Sequence, residues 1–414
     1  MQASHFPRDI RRSIDRLSFL TLVFSALVGC DRAGQESSSY RRPVVQASLA
    51  FALSDTPVLV IGGVDEREDY AIGRTIGALR LTDGRVVVAD GMTRQLRYYD
   101  GHGQHLRTVG GDGDGPGEFR RLHSIVRMQN DSILAWDTFQ RRVSVFAPDA
   151  TFSYSVTNPA WSGMLVELQK QYPRSILDFG KVHFAYDDRF VVELAAGPYV
   201  RAITGKQLIQ DTLPLLAISR TEEDWTVLGS FAGREHFVQE GVGGAFALGP
   251  NLRVAAAEEV VYAGSTRDTA IRALSPVTGE IVRSIALPWR RRATSPEDVE
   301  IVSRRFLDRV QPNLASRAAE FVASIPWPDS LPTFSHMLVG ADERVWVQMF
   351  RAPADVLQEW ILFEPSGEIV ASFAMDTSLQ LLDVGDDYAL VQAADGNGVE
   401  TITMHRLVPT DIED

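Results

Sequence analysis

Residues 83–99 read DGRVVVADGMTRQLRYY, and residues 130–146 repeat the same pattern as NDSILAWDTFQRRVSVF. The copies lie 47 positions apart, so that Asp90 corresponds to Asp137. A period of this length is typical of solenoids, propellers and repeat arrays, in which each repeat is one supersecondary unit. The repeat therefore indicates the architecture. It leaves the activity open, because such folds serve binding, scaffolding and catalysis alike.

Turn sequences divide the repeat into short strands. In the first copy, apolar runs are separated by Asp83-Gly84 and Asp100-Gly101. Asp-Gly favours hairpin turns because glycine accepts positive φ and aspartate bonds its own backbone. Four antiparallel strands result, which is one propeller blade. Weaker copies predict six such units, at about residues 76–111, 118–158, 178–217, 236–288, 332–376 and 378–409. Residues 58–61 would then pair with the last unit and close the ring, which removes exposed sheet edges.

The segment between the two clear copies contains Gly115-Pro116-Gly117-Glu118-Phe119. Together with Arg142-Val143-Ser144-Val145-Phe146, it resembles bacterial six-bladed propellers of the NHL-like kind, whose blades often begin after a glycine-rich run of this type. The resemblance covers about residues 76–150 and is diffuse beyond them. It implies an all-β, six-bladed β-propeller with four antiparallel strands per blade. The residues alone leave seven blades, or five with an irregular segment, open.

The N-terminus has the order of parts found in an export signal. An arginine-containing stretch ends at Arg16, and the apolar run 17–29 is too short to span a bilayer comfortably but suits a signal peptide. Leu27-Val28-Gly29-Cys30 resembles the lipobox of bacterial lipoproteins, which implies acylation of Cys30. We therefore expect a signal peptide over 1–29, a flexible tether over 30–46 and a β-propeller over 47–414. A short transmembrane anchor is the alternative.

The composition and the N-terminal sequence indicate which partners and which cellular location to expect. The formal net charge is −13, and an acidic chain lacks the basic surface that nucleic acid requires. Cys30 is the only cysteine, so no internal disulfide can form. The lipobox resemblance implies the periplasmic face of a bacterial cell envelope, at the inner or the outer membrane. The expected partners are the membrane, through the N-terminal lipid, and either another envelope protein or a small ligand, with no nucleic acid.

Two segments interrupt the strand pattern. Residues 159–174 are predicted to form a short helix or a loop over one face. Residues 295–324 are predicted to be helical, because Ser295 can cap, Pro296 suits the first helical position and acidic residues follow at the positive helix end. This helical insertion either packs on the rim of the ring or acts as a lid or docking element, since binding surfaces of repeat folds tend to lie where insertions map.

Two repeated features are predicted to be structural. The run Gly110 to Glu118 has three carboxylates but lacks the EF-hand spacing, and we expect it to connect blades by using glycines at positive φ. Asp90 and Asp137 each end the second strand of a blade, with Arg94 and Arg141 four residues later. We expect these carboxylates to accept turn N–H groups or to pair with the arginines.

Trp289-Arg290-Arg291-Arg292 is the strongest basic cluster in this acidic chain. These arginines either are solvated loop charges, or contact an anionic ligand, a lipid headgroup or an acidic partner. The candidate contact residues are therefore Arg290, Arg291 and Arg292, and the lipid-attachment residue is Cys30. The sequence predicts no catalytic residue, no cofactor and no metal site.

The sequence is compatible with two functions of different classes, a binding protein and an enzyme. In the first, a lipid-anchored propeller is a non-catalytic scaffold that binds a ligand or a protein. In the second, it is a propeller hydrolase or lyase that resembles lactonase-like enzymes, in which Glu, Asn and Asp surround a calcium ion in the central channel. Asp178, Glu193 and Asn251 are the residues to test for that site. Three or more carboxylate or amide side chains converging at one channel mouth would favour the enzyme.

Overall fold

The structure is a computed structural model that describes residues 47, 49–63, 67–158, 160–172, 175–186, 189–198, 203–221, 223–240, 242–257 and 259–410. The predicted signal peptide, Cys30 and the tether lie outside the described residues. No helix among the described residues is long and apolar enough to cross a bilayer.

The two clear sequence repeats fold as two four-stranded antiparallel blades. Blade 1 consists of β3 (Thr75–Arg80), β4 (Val86–Asp90), β5 (Gln95–Tyr99) and β6 (His105–Gly110). Blade 2 consists of β7 (Leu122–Arg127), β8 (Ile133–Asp137), β9 (Arg142–Phe146) and β10 (Phe152–Val156). The predicted blade pattern is confirmed here strand by strand.

The third blade is longer than the sequence pattern indicates. It consists of β11 (Ser175–Tyr186), β12 (Arg189–Pro198), β13 (Lys206–Ser219), β14 (Trp225–Gln239) and the short β15 (Val242–Ala245). Blade 4 consists of β16 (Leu252–Ala256), β17 (Val261–Ser265), β18 (Ala270–Leu274) and β19 (Ile281–Ala286). The predicted boundary at residue 236 is therefore wrong, because β14 continues the third sheet to Gln239.

The ring is closed between the two chain ends. Blade 5 consists of β20 (Phe334–Val339), β21 (Val345–Met349), β22 (Leu357–Phe363) and β23 (Ile369–Asp376). Blade 6 consists of β24 (Leu379–Val384), β25 (Tyr388–Ala394), β26 (Glu400–Thr410) and the N-terminal β2 (Leu59–Gly62). Strand β2 pairs antiparallel with β26, which confirms the predicted closure. Six blades arranged in this way form a six-bladed β-propeller, in which β1 (Leu49–Leu53) joins blades 5 and 6 into one nine-stranded sheet.

The first strand of each blade lies at the centre of the ring. Strand β3 contacts β7, β7 contacts β11, β11 contacts β16, β16 contacts β20, and β24 contacts β3. These inner strands therefore line the central channel. Because the four strands of a blade alternate in direction, all inner strands begin on the same face, which we call the mouth face. The connections between successive blades lie on this face as well.

The first strand of the chain enters from the opposite side. Strand β1 (Leu49–Leu53) pairs antiparallel with the end of β26, with Ala50 opposite Thr410. Since β26 runs away from the mouth face, β1 begins near the opposite face. It also pairs in parallel with β23, so this strand joins the outer edges of blades 5 and 6.

A helix separates blades 2 and 3. Helix α1 (Ala160–Gln171) buries Trp161, Met164, Leu165 and Leu168. These four side chains belong to one apolar cluster with residues of both blades. Residues 159–174 thus provide the predicted short helix, but the helix packs between two blades instead of over one face.

The predicted helical insertion between blades 4 and 5 is confirmed. Helix α2 (Pro296–Leu307) begins with a capping box, in which the Ser295 side chain accepts from the Asp298 N–H and the Asp298 side chain accepts from the Ser295 N–H. Helix α3 (Ala315–Ala323) packs on blade 3, with the rings of Phe321 and Phe237 5.3 Å apart. The insertion lies on the mouth face, because it connects β19 to the start of β20.

The repeated aspartates hold the turns and blade connections on this face. Both Asp90 and Asp137 are fully buried. Asp137 Oδ2 accepts from the Arg120 and Arg121 N–H groups at 2.6 and 2.9 Å, and its Oδ1 accepts from those of Phe139 and Gln140. Their predicted role as acceptors of turn N–H groups is confirmed.

The alternative role, pairing with the arginines four residues later, is not the one that the structure shows. Arg94 pairs with Asp112 and Arg141 with Asp178. Both arginines adopt positive φ, at 58° and 50°, so each turns the chain before the third strand and directs its side chain away from the repeated aspartate.

The run from Gly110 to Glu118 connects blades 1 and 2, as predicted. Gly110 has φ 90°, and a Cβ there would lie 2.9 Å from the Phe119 ring and 3.0 Å from the Arg94 carbonyl oxygen. Arg120 pairs with Asp112 and Asp114 at 3.1 and 2.6 Å. These carboxylates are therefore neutralised by an arginine of the same connection.

Candidate functional site

Irregular pairing of the inner strands directs polar side chains into the channel. Register shifts interrupt β7 between Leu122 and Ser124, and β20 between Phe334 and His336. Strand β11 has two shifts, one between Phe179 and Val182 and one between Val182 and Phe184. Bulges re-aim side chains and are frequent next to functional sites. Here the unpaired positions include His123, Lys181 and His183.

The first irregularity of β11 is fixed from both sides. A Cβ at Gly180 would lie 2.8 Å from the carbonyl oxygen of Glu193, so only glycine allows this close approach of β11 to β12. The Gly180 carbonyl accepts from Trp136 Nε1–H in blade 2 at 2.9 Å. The backbone that carries Lys181 is therefore held by two blades.

His183 and Glu193 form a pair beside this irregularity. His183 Nε2 lies 2.9 Å from a carboxylate oxygen of Glu193, and the histidine side chain is only 6% exposed. Burial lowers the pKa of His183 against the raising effect of Glu193. Burial acts to raise the pKa of Glu193, but the bond to His183 and the charges of Arg253 and Lys181 lower it overall. A neutral imidazole therefore donates to an ionised carboxylate.

Lys181 is a cation without a close partner among the residues that the structure describes. Its side chain keeps contact with solvent in the channel, but surrounding protein displaces water and lowers its pKa. Its charge is attracted by Glu193 and repelled by Arg253. Among the described residues, the Lys181 ammonium makes no hydrogen bond and no ion pair.

Arg253 is positioned by backbone oxygens. Its Nε–H donates to the Ser335 carbonyl of blade 5 at 2.6 Å, and its Nη1 donates to the Leu252 carbonyl at 3.0 Å. The second amino group of the guanidinium, Nη2, takes no part in these bonds. Burial lowers the pKa of Arg253, and Glu193 opposes that effect, but arginine stays charged in proteins.

Two further histidines face the same charges. Burial, followed by the charges of Arg253 and Lys181, lowers the pKa of His336 to about 3. Burial, followed by the charge of Lys181, lowers the pKa of His123. Both rings are therefore neutral at pH 7 and can donate or accept hydrogen bonds. His336 packs edge-on against Trp360, with ring centroids 6.0 Å apart.

Together these six side chains form a mixed cluster on blades 2 to 5, which we call the channel cluster: His123, Lys181, His183, Glu193, Arg253 and His336. It contains two cations and one carboxylate, with three histidines whose pKa values are lowered by the surrounding protein and by neighbouring cations. Perturbed titratable groups that converge in a concave site are features of binding and active sites.

The predicted arginine cluster is split by the structure. Trp289 is buried and donates from Nε1 to the Thr333 carbonyl at 2.8 Å. Arg292 pairs with Asp298 at 2.6 Å and with Asp355 at 3.6 Å, so it joins the α2 capping box to blade 5. Arg290 and Arg291 are exposed on the mouth side of blade 4. The structure does not bring them to the channel cluster.

The three residues proposed for a calcium site have separate partners. Asp178 pairs with Arg141 at 3.4 Å, and its side chain is mostly exposed. Glu193 pairs with His183, and the Asn251 N–H donates to Thr266 Oγ1 at 2.9 Å. In the described part of the chain, no three His, Cys, Asp or Glu side chains come together in a way that could hold a metal ion.

Sequence reasoning singled out only Glu193 among the channel cluster. One signal was available for Lys181, because the chain has 41 lysines and arginines, of which only Lys170, Lys181 and Lys206 are lysines. A chain that uses arginine almost everywhere places one of its three lysines in the channel. The histidines carry no such signal, since their convergence depends on how the inner strands of blades 2 to 5 pack around the channel.

Comparisons with known proteins agree with the fold. The family described as DUF5128, 6-bladed beta-propeller, matches residues 66–172. A member of the DUF4221 family from Bacteroides vulgatus superposes with a TM-score of 0.51 at 8% identity, over 89% of this chain and 100% of that one. A Bacteroides fragilis protein that is predicted to be exported gives a TM-score of 0.47 at 12% identity, over 88% and 99%. No curated protein matches the sequence at a significant level. At these identities the likeness concerns the fold alone.

Proposed function

We propose that this protein is a lipid-anchored binding protein of the bacterial cell envelope, whose propeller binds a small polar ligand at the channel cluster. The observation that carries the binding role is the convergence of charged and hydrogen-bonding side chains from four blades on one channel. Structural charges in this fold are neutralised locally, as Asp112 and Asp114 are by Arg120. No described residue neutralises Lys181 in this way, and a bound ligand would supply a partner for it.

The envelope location rests on the N-terminal sequence. Arginines, an apolar run and Leu27-Val28-Gly29-Cys30 follow in the order of a lipoprotein signal. The arrangement of β1 agrees with a tether at Cys30, because this strand begins near the face opposite the channel mouth. Residues 31–47 reach at most about 60 Å when fully extended. A lipid at Cys30 would hold the protein from the side away from the ligand site.

Two measurements test this function. For the anchor, Cys30→Ala should move the protein from the membrane to the soluble fraction and abolish labelling by radioactive palmitate. Unchanged membrane association of Cys30→Ala would contradict it.

For the site, protein purified from its native envelope should carry a small molecule detectable by native mass spectrometry. Lys181→Met should lose this molecule, whereas Arg290→Gln, which removes the same charge on the mouth side outside the channel, should keep it. Equal retention in both variants would contradict the channel as the binding site.

A second candidate function is a hydrolase or lyase. The observation that favours it is the His183–Glu193 pair, since a carboxylate that orients a neutral imidazole is the arrangement of a general base. In this case, Glu193→Gln and His183→Gln would both abolish turnover of the molecule that binds, while leaving binding measurable. Slow release of an unchanged molecule from the wild-type protein would favour the binding function.

A further inference from the structure

The channel cluster has an excess of positive charge. Lys181 and Arg253 are cationic, and Glu193 is the ionised carboxylate that interacts with both. This carboxylate is already engaged by His183 at 2.9 Å. The excess stands against the net charge of −13 for the whole chain, so it is a local feature and does not follow from composition.

The two cations differ in how they are held. Arg253 is fixed by the Ser335 and Leu252 carbonyls, which leave its second amino group for another acceptor. Lys181 is directed into the channel by the β11 irregularity and has no close partner among the described residues. A fixed guanidinium and an unpartnered ammonium on adjacent blades provide the donors that an oxyanion requires.

The histidines add donors and no further charge. His183, His336 and His123 are neutral because burial and neighbouring cations disfavour their protonation. A neutral ring presents one N–H donor and one acceptor. Such groups can orient the uncharged part of a ligand whose charged end meets the cations.

We propose that the ligand of the channel cluster is a small molecule bearing a carboxylate or phosphate group, which is held by Lys181 and Arg253. This inference rests on the proposed binding function and narrows it to a class of ligand. The oxyanion neutralises the positive charge of Lys181 and Arg253 that the single carboxylate, Glu193, does not balance. The neutral histidines contact the remainder of the molecule.

The test is a titration of purified protein with inorganic phosphate, acetate and succinate at constant ionic strength, followed by calorimetry. We expect the wild-type protein to bind phosphate or at least one carboxylate. Lys181→Met should weaken that binding at least about tenfold, which corresponds to one lost charge-assisted contact. Lys181→Arg should retain part of it, and Arg290→Gln should bind as the wild type does.

Circular dichroism must first show that the variants are folded. Each outcome of the titration then supports or overturns oxyanion binding by Lys181. Binding that Lys181→Met weakens supports the proposal, and the phosphate and carboxylate arms distinguish the two oxyanions. If no anion binds the wild type, or if Lys181→Met binds as well as the wild type, the proposal is overturned. A native ligand that Lys181→Met loses but that carries no anionic group would overturn it while leaving the proposed binding function intact.

Discussion

The Nε2 atom of His183 lies 2.9 Å from a carboxylate oxygen of Glu193, and the two residues come from adjacent strands of the same blade. Glu193 is the one carboxylate of the channel cluster, and His183 occupies it. The Lys181 ammonium is thereby left without a close protein partner among the described residues. Several measurable consequences follow from this arrangement and from the blades that support it.

Removal of the Lys181 charge should stabilise the protein. Lys181 is exposed to solvent, but the surrounding protein and the charge of Arg253 disfavour its ammonium more than Glu193 favours it. Lys181→Met therefore removes a small, solvent-screened cost. We expect its melting temperature in the absence of ligand to rise by about 1–3 °C. A fall in melting temperature would show that Lys181 supports the fold instead of a ligand. Lys206→Met, in which a lysine of the third strand of blade 3 is changed outside the channel cluster, serves as the control.

His336 should make stability depend on pH. Its pKa is lowered from about 6.5 to about 3 on folding, so the unfolded chain binds more protons between these values. The contribution of His336 is therefore present above pH 6.5 and is lost as the pH falls toward 3.

Urea unfolding at several pH values measures this effect. Between about pH 3 and 6.5, the free energy of unfolding of His336→Asn should fall less steeply with decreasing pH than that of the wild type. The two slopes should differ by up to about 1.4 kcal/mol per pH unit. The same substitution at the exposed His102 should leave the slope unchanged. Parallel pH profiles for the wild type and His336→Asn would refute the prediction.

Asp137 should be essential for stability because it joins a turn and a blade connection. Four backbone N–H groups donate to its buried carboxylate. Asp137→Ala leaves these donors unsatisfied, and we expect it to lower the free energy of unfolding by about 3 kcal/mol. Asp178→Ala removes a mostly exposed carboxylate paired with Arg141 and should change it by less than about 1 kcal/mol. Similar effects of the two substitutions in urea unfolding would contradict the structural role.

Helix α1 should act as part of the core between blades 2 and 3. Trp161 packs against Trp136, Phe179 and Phe190, with ring centroids about 6 Å apart. Trp161→Ala should lower the free energy of unfolding by about 3–5 kcal/mol. Val166, on the same helix but 63% exposed, provides the control, and Val166→Ala should have an effect below about 0.5 kcal/mol. An equally small effect of Trp161→Ala would show that α1 is a peripheral element.

The fold could be predicted where local patterns repeat. The matching runs 83–99 and 130–146 predict blades 1 and 2, and Ser295, Pro296 and the acidic residues that follow them predict α2. Blade 3 could not be delimited, because β13 and β14 are 14 and 15 residues long and resemble no other strands of the ring.

The channel cluster could not be predicted from strand patterns. His123, Lys181 and His183 lie at register shifts, where the alternation of inward and outward side chains is interrupted. Arg253 and His336 lie on blades 4 and 5, far from Lys181 in the sequence, so their meeting depends on how successive blades pack around the channel. The Arg290 to Arg292 run was visible in the sequence, but Arg292 serves the α2 cap.

The binding of an oxyanion by Lys181 and Arg253 can be measured most directly in a crystal structure of the protein grown in selenate. Selenate is an oxyanion whose selenium gives an anomalous signal. We predict an anomalous peak in the central channel, within hydrogen-bond distance of Lys181 Nζ and the Arg253 guanidinium. This peak should be absent in Lys181→Met. Peaks confined to exposed arginines such as Arg290 and Arg291, with none in the channel, would show that Lys181 and Arg253 do not form an oxyanion site.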